Sequence, residues 1–436
     1  MRVSAADALR RHRSQARPEK VSAYYAAVFS TSLLKPVFGV LSDCCPLGVR
    51  RRAVMVPACA LAAVSTLCLG LAVRSEGGLY AAGLAAAVGL CAAEAGADGA
   101  LVEHGKLAGA DVATLQVAAM GVRTAASAAA SAAGALLLRV WSPRMLISLS
   151  SAGGACAAAA ALFLPEAAAE CDGVSSPEQR AWTPREALAW LRSCVRRQPT
   201  AALGRIGAAS ALLFALGALP RSDDAYAAFV TAGLQPPLSD WAFGVAEGCA
   251  QAGALLGTYL YGTLCLAYNT RALLAACTVA GACGSLLRAA APLGCFGIAP
   301  AAFVSLAAVV VSVTDRLAFM PQLVLCAELA PRGGEAAGFA SFIALSDAGS
   351  LAGAALTVSL TAGLRVGSAA GRSWSKLPLL VALCAALRLL PLALLVPMRP
   401  AGAAEAAGAA SADAELAAPL LGDDEASGGS GDEAAE

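Results

Sequence analysis

The run AVMVPACALAAVSTLCLGLAV at residues 53–73 decides the fold class, because it contains no charged side chain over its whole length. A helix needs about 20 apolar residues to cross the hydrocarbon core of a bilayer. Arg50, Arg51 and Arg52 stand immediately before the run, and clustered basic residues mark the cytoplasmic side of a membrane protein. The stretch therefore predicts a transmembrane helix that begins at a cytoplasmic loop.

Ten further runs of comparable length occur in the chain. We place the eleven predicted spans at 21–42, 53–73, 79–101, 112–138, 145–164, 201–219, 240–264, 272–291, 299–327, 336–363 and 377–397. Of the 436 residues, 58% are hydrophobic and 14% are charged, whereas soluble chains carry about 25% charged residues. The runs are long and lack the short alternation of a transmembrane β-barrel. The predicted fold class is an all-α polytopic membrane protein.

The predicted spans form two groups that a polar stretch separates. Five spans lie within residues 21–164 and six within 201–398, and the linker at 165–200 joins them. The linker has the pattern of a short amphipathic helix that lies on the cytoplasmic membrane surface. Residues 1–20 form a basic leader. Residues 399–436 form an acidic tail, which we predict to be disordered because it has too little apolar surface to fold.

The distribution of Lys and Arg among the connections favours a cytoplasmic position for the linker and for the loop at 50–52. An odd number of spans then places the basic leader on the opposite side, which breaks the pattern. We therefore expect that the first helix of a twelve-span ancestor is missing. A basic, acid-poor leader is also typical of an organelle transit sequence.

Charged side chains inside the spans indicate function, because each is costly at bilayer depth without a partner, a cavity or water. The candidate residues for a substrate or ion pathway are Lys35, Glu94, Asp98, Arg123, Arg288, Asp315, Arg316 and Asp347. Glu94 and Asp98 are four residues apart, so both carboxylates project from one helical face and one is expected to hold a proton. The alternative is that these charges form structural ion pairs or reach the interface from helix ends.

The sequence offers little for catalysis, metals or nucleic acids. Most of the 15 cysteines lie singly inside apolar runs, and the pair Cys44 and Cys45 has no second ligand pair at zinc-like spacing. The two histidines, His12 and His104, have no nucleophile at catalytic spacing. We therefore expect no catalytic residue, no metal site and no cofactor. The 31 basic and 30 acidic residues nearly balance, which gives no indication of nucleic-acid binding.

Three regions carry motifs of a known family. They are KPVFGVLSDCCPLGVRRR at 35–52, EAGADGALVE at 94–103, and PQLVL at 321–325 with SDAG at 346–349. These regions resemble the folate-biopterin transporters, a branch of the major facilitator superfamily. The resemblance covers about 21–398 with gaps. The chain departs from the family in two places, with Glu94 at the first of two aspartates and Asp347 where the family usually has asparagine.

The resemblance implies a major-facilitator-type bundle of two helical halves that carries folates or pterins by alternating access, with proton coupling as an option. In the first motif, Gly39 permits close helix contact. Asp43 is able to cap a helix or pair with Arg50, Arg51 and Arg52, so we predict that these five residues form a conformational latch. Buried cations would hold the carboxylates of a folate.

Other functions compete with folate transport. One alternative is that the chain carries another organic solute, such as a nucleoside, an amino acid or a sulfonium compound, on the same fold. A chain without its first helix is also compatible with a membrane scaffold or sensor that has lost transport. An intramembrane enzyme is the least favoured option, since no catalytic pairing is visible. The protein is expected to be integral to the plasma membrane or to a plastid envelope.

Overall fold

The computed structural model describes residues 18–44, 50–107, 111–164, 200–266, 268, 270–294, 298–330, 334–367 and 373–395. The amphipathic helix predicted in the linker and the acidic tail lie outside these residues. So does the basic leader, apart from its last three residues.

In the described part of the chain, six helices form the first group, which we call the first half. Numbered α1 to α6, they are Pro18–Ser30, Lys35–Cys44, Arg50–Leu71, Glu76–Leu107, Val112–Leu137 and Pro143–Leu162. A 3-10 turn, Thr31–Leu34, separates α1 from α2, although we predicted one continuous helix over 21–42. Pro36 lies in the first turn of α2. Proline has no N–H to donate to a preceding carbonyl, so the α-helical hydrogen bonding is interrupted just before it.

Eight helices of the described residues form the second group, which we call the second half. Numbered α7 to α14, they are Thr200–Gly217, Asp223–Ala232, Asp240–Leu260, Thr270–Ala290, Pro300–Leu329, Glu335–Leu364, Leu377–Leu387 and Leu392–Leu395. The short helix α8 was not predicted. The predicted span 377–397 contains two short helices instead of one long helix. Pro391 lies between them and prevents a continuous helix.

Among the described residues, seven segments are long and apolar enough to cross a membrane. They are Tyr24–Asp43, Arg51–Leu71, Glu76–Lys106, Pro143–Leu162, Ala272–Ala290, Pro300–Leu329 and Glu335–Leu364. Two shorter apolar helices, Ile206–Gly217 and Trp374–Leu387, coincide with other predicted spans. Helices α5 and α9 are 26 and 21 residues long, which is also sufficient to cross a membrane, although they are not among those seven.

The two halves repeat the same packing pattern. In the first half, α3 packs against α4 and α6; in the second half, α10 packs against α11 and α13. The halves meet where α2 and α4 pack against α12, and where α5 packs against α9. Long helices joined by short connections alternate in direction, so the ends of α2 and α4 lie beside the starts of α3 and α12. We call this end of the bundle the latch end and the opposite end the far end.

A hydrophobic core lies at each end. The core at the latch end joins both halves and includes Val102, Met120, Met320, Leu323 and Phe339. The core at the far end belongs to the second half and includes Tyr226, Phe229, Val230, Leu377 and Leu380. The far-end core therefore holds α8 against α10, α11 and α13.

Candidate functional site

Asp43 connects the two halves at the latch end. Its Oδ2 accepts a hydrogen bond of 2.8 Å from the backbone N–H of Ala337, and its Oδ1 accepts one of 3.3 Å from that of Ala336. These amides belong to the first turn of α12, whose N-cap residue is Gly334 and offers no side chain. First-turn amides have no acceptor within their own helix, and a carboxylate there also interacts favourably with the helix dipole. A residue of the first half thus caps a helix of the second.

Arg51 holds the Asp43 carboxylate in place. Its Nη1 lies 3.3 Å from Asp43 Oδ1 and 3.1 Å from Ser42 Oγ, and its Nε donates to Glu103 Oε2 at 2.9 Å. The side chains of Asp43 and Arg51 are 3% and 8% exposed. A buried guanidinium that contacts two carboxylates satisfies most of its hydrogen-bonding capacity and orients both acids.

Gly39 permits the approach of α2 to α12. A Cβ atom at this position would lie 2.6 Å from the carbonyl oxygen of Ala336 and 2.8 Å from Cα of Ala337. Gly99 of α4 is under the same constraint, since its Cβ would lie 2.8 Å from Cα of Ala336. Two helices of the first half therefore contact the start of α12 through glycine.

The structure brings together three of the five residues predicted to form the latch. Gly39, Asp43 and Arg51 come together, whereas Arg52 donates through its Nε to the carbonyl oxygen of Leu164 at 2.8 Å, at the end of α6. The side chain of Arg50 lies outside the described residues. A contact that we did not predict supplements the latch, because Lys106 Nζ donates to the carbonyl oxygen of Ala330 across the halves.

Lys35 lies between two carboxylates from opposite halves. Its Nζ is 3.2 Å from Glu94 Oε2 in the first half and 3.3 Å from Asp347 Oδ2 in the second. Lys35 precedes Asp43 by eight residues, which corresponds to about 12 Å along α2 at 1.5 Å per residue. The cluster therefore lies nearer the middle of the membrane than the latch does.

Asp98 follows Glu94 by one helical turn and has its own cation. Arg123 Nη2 of α5 is 3.1 Å from Asp98 Oδ1, and the side chains are 46% and 22% exposed respectively. The two acids on this face of α4 thus contact different cations. That agrees with the alternative of structural ion pairs, and the shared proton stays a prediction.

Asp315 and Arg316 are neighbours on α11 with different surroundings. Asp315 pairs with Arg388, whose Nη1 is also 3.3 Å from Ser285 Oγ. The Arg316 guanidinium lies 5.6 Å from the ring centre of Phe319, and its Nη1 is 3.7 Å from Met120 Sδ of α5.

Arg288 occupies the last turn of α10 at the far end. It pairs with Asp223 of α8 and lies over the ring of Tyr226, 5.5 Å from its centre. Neither partner was among our candidates, because α8 was not predicted. Arg288 therefore anchors α8 to the second half, and these contacts do not join it to the mid-depth groups.

Two further features bear on the site. A cavity of about 470 Å³ at the far end is lined by residues that include Phe229, Leu234 and Trp374, and by none of the predicted pathway residues. Within the described residues, no group of three or more His, Cys, Asp or Glu side chains could hold a metal ion.

The sequence model of the BT1 family, the folate-biopterin transporters, matches residues 5–414. The chain belongs to the BT1 family. The motifs that carried the resemblance now have places in the fold, since Gly39, Asp43 and Arg51 form the contact between α2, α3 and α12. No curated protein sequence matches this BT1 chain.

Solved structures of major facilitator transporters are similar to the BT1 chain in fold. The human organic anion transporter MFSD10 (TETRAN) has 17% identity and a TM-score of 0.62, over 90% of this chain and 89% of that protein. The proton:xylose symporter XylE has 12% identity and a TM-score of 0.59, over 88% of each chain. The E. coli fucose:proton symporter FucP has 15% identity and a TM-score of 0.54, over 90% of this chain and 95% of that one.

These identities are too low to show more than the fold. The predicted fold class, an all-α membrane protein of the major facilitator type, is confirmed. The BT1 protein is an integral membrane transporter and not an enzyme.

The sequence before α12 indicates that the start of this helix lacks a capping residue of its own, which is the feature that Asp43 supplies. The stretch PRGG at 331–334, just before α12, has no Ser, Thr, Asp or Asn to cap the helix. A buried helix start without its own cap needs an acceptor from elsewhere. Asp43 is that acceptor in the BT1 fold.

Proposed function

We propose that this BT1 protein carries a folate-type or pterin-type solute by alternating access, in which the two halves open one end of the bundle at a time. The observation that carries the proposal is the polar seam between the halves at the latch end, where Asp43 caps α12. Opening this end requires that the seam breaks. The solute would then reach the charged groups at mid-depth, which both halves supply.

The chemistry of a folate suits those groups. A folate has two carboxylates and a flat pterin ring with amino and amide groups. Arginines such as Arg123 bind carboxylates through paired hydrogen bonds, and acids such as Glu94 and Asp347 accept hydrogen bonds from ring amino groups. Membership of the BT1 family supports this solute class, and MFSD10 is itself named as an organic anion transporter.

Proton coupling is part of the proposal. XylE and FucP, which share the fold, are named as proton symporters. In this chain Glu94, Asp98 and Asp347 place three carboxylates at mid-depth, and an acid at that depth is the usual proton carrier of a membrane transporter.

A second candidate is the transport of another small organic solute on the same fold. The departures from the family at Glu94 and Asp347 favour this option, because both residues contact Lys35 in the region where a solute would bind. Competition by unlabelled nucleosides, amino acids and pterins against the transported solute distinguishes the two candidates.

The test is uptake of radiolabelled folate and radiolabelled biopterin into vesicles that contain the full chain. We expect saturable uptake of at least one of them above that of vesicles without the protein. No uptake of either compound, with the protein inserted at normal amounts, would contradict the proposed solute class. A fluorescent fusion of the chain tests the proposed location in the plasma membrane or a plastid envelope.

A further inference from the structure

Arg316 differs from five other cations of the helices. These five contact at least one carboxylate each: Lys35, Arg51, Arg123, Arg288 and Arg388. Among the described residues, Arg316 forms no ion pair or hydrogen bond with a carboxylate, since the neighbouring Asp315 pairs with Arg388; its contacts are the sulfur of Met120 and the ring of Phe319. The guanidinium of Arg316 therefore keeps its hydrogen-bond donors free of carboxylates in the described part of the chain.

The position of Arg316 makes this charge costly for a protein without a ligand. Residue 316 precedes the end of α11 at Leu329 by 13 positions, which is about 20 Å along the helix. It therefore lies deep within the membrane region, where charged side chains persist beside partners, cavities or water. The ring of Phe319 and the sulfur of Met120 are weak partners for a guanidinium.

A second guanidinium from the opposite half lies close to this one. Met120, which Arg316 contacts, is one helical turn from Arg123 on α5. Arg123 is 46% exposed, and its recorded contact with Asp98 is a single hydrogen bond. Much of its donor capacity therefore remains available. Arg316 and Arg123 thus come from opposite halves, and the ion pair between Arg123 and Asp98 is the carboxylate contact recorded for the two guanidinium groups in the described residues.

We propose that Arg316 and Arg123 together form the binding site for an anionic group, most simply a carboxylate, of the transported solute. The inference rests on the proposed transport function and adds to it the residues and the charge of the bound group. A guanidinium presents two parallel N–H donors that match a carboxylate. The anion would neutralise Arg316, and it would connect α5 of the first half to α11 of the second.

Phe319 and Met120 supply the remaining contacts of the site. An aromatic ring and a thioether form an apolar surface against which a flat organic group is able to pack. The site therefore favours an organic acid over a small inorganic anion. Asp98 forms an ion pair with Arg123 in this structure. It would therefore compete with the carboxylate of the solute for the Arg123 guanidinium.

The experiment measures ligand binding to the purified full chain in detergent. The probes are folate, p-aminobenzoylglutamate, which keeps the carboxylates without the pterin ring, and pterin, which keeps the ring without a carboxylate. The variants are R316Q and R316K. The matched control is R139Q, because Arg139 also lies over an aromatic ring, that of Trp241 at 4.6 Å, but outside the proposed site.

We expect R316Q to weaken the binding of folate and p-aminobenzoylglutamate by about tenfold or more, as loss of a charge-assisted hydrogen-bonded pair does. R316K, which retains the charge but loses the planar pair of donors, should weaken it less. Pterin binding should be unchanged in both variants, and R139Q should resemble the wild type. The same loss for pterin and for the carboxylates, or no loss in R316Q, would overturn the inference.

Failure of the folate assignment is distinguishable from failure of the anion site. If the wild type binds neither folate nor pterin, the proposed solute class is wrong, and the anion site is then tested by thermal stabilisation with a panel of small aromatic and aliphatic carboxylates. Stabilisation that disappears in R316Q and persists in R139Q supports the site. No stabilisation of the wild type by any carboxylate overturns it.

Discussion

Glu94 and Asp98 share one face of α4, and each carboxylate lies beside a cation from a different helix. Lys35 of α2 is 3.2 Å from Glu94, and Arg123 of α5 is 3.1 Å from Asp98. Lys35 also contacts Asp347, so this cluster holds two acids and one ammonium group. The cluster thus has one more carboxylate than it has cations.

If transport is proton-coupled, Asp98→Asn should remove the pH dependence of uptake, and Glu94→Gln should weaken it. Either change leaves a single acid on this face of α4, without a like-charged neighbour to promote proton binding. The measurement is uptake at several pH values, with the amount of protein in the membrane determined in parallel. If the acids are only structural, both variants will instead lose stability or insertion. Unchanged pH dependence of Asp98→Asn at normal protein levels would rule out the proton role.

At the residue level, sequence indicated the charged groups but not their pairing. Lys35, Glu94, Asp98, Asp315 and Asp347 were recognisable because a charge inside an apolar run is costly. Their partners were not, since Lys35 and Asp347 are 312 positions apart in the chain. Spacing reveals neighbours only within one helix, and the site is assembled from several.

The contact between α2 and α12 depends on the absence of a side chain at Gly39. The carbonyl of Ala336 and the backbone of Ala337 occupy the space in which a Cβ atom would lie. Backbone atoms cannot rotate away as a flexible side chain does, so any larger residue must separate the helices. The latch geometry of Asp43, one turn later on α2, depends on this close approach.

We expect Gly39→Ala to lower the free energy of unfolding by about 1–3 kcal/mol, the usual cost of overpacking a close contact, and to reduce uptake. The matched control is Gly134→Ala on α5, where a Cβ atom would meet nothing within 4 Å. Alanine is the better helix former there, by up to about 1 kcal/mol. Thermal unfolding in detergent compares the two variants. Equal stability of Gly39→Ala and the wild type would show that α2 and α12 are not in close contact.

Long apolar runs made most helices predictable, whereas short and interrupted elements were not. The ends of α12 differ from the predicted span 336–363 by one residue on each side. In contrast, α8 has ten residues and begins with two aspartates, so it has neither the length nor the uniform apolarity of a span. The core contacts of Tyr226, Phe229 and Val230 stabilise it, and such tertiary contacts are not visible in the sequence.

For the whole molecule, the central feature is that one half caps a helix of the other. Asp43 supplies the acceptor that the start of α12 lacks, and Lys106 adds a second link across the same seam. Each contact joins a residue of the first half to a residue of the second. In the proposed alternating-access cycle both contacts would break when the latch end opens, and they would then bias the equilibrium between the two states of the carrier.

We expect Asp43→Asn to slow uptake while the protein remains folded and inserted, because the charge that binds the start of α12 is lost. Asp111→Asn is the matched control, since Asp111 caps α5 within one half, where it accepts from Ala113 and Thr114. The hydrogen bond from Thr114 lowers the pKa of Asp111, so its carboxylate is also ionised at neutral pH. Normal uptake of Asp43→Asn, or its failure to accumulate, would contradict the latch role.

Hydrogen–deuterium exchange at the start of α12 tests the central claim most directly. The amides of Ala336 and Ala337 have the Asp43 carboxylate as their acceptor, so their exchange reports whether the latch is closed. In the full chain we predict slow exchange without solute, faster exchange when a transported solute is present, and fast exchange in Asp43→Asn under both conditions. Exchange that is the same in the wild type and Asp43→Asn, and that a transported solute leaves unchanged, would contradict the account.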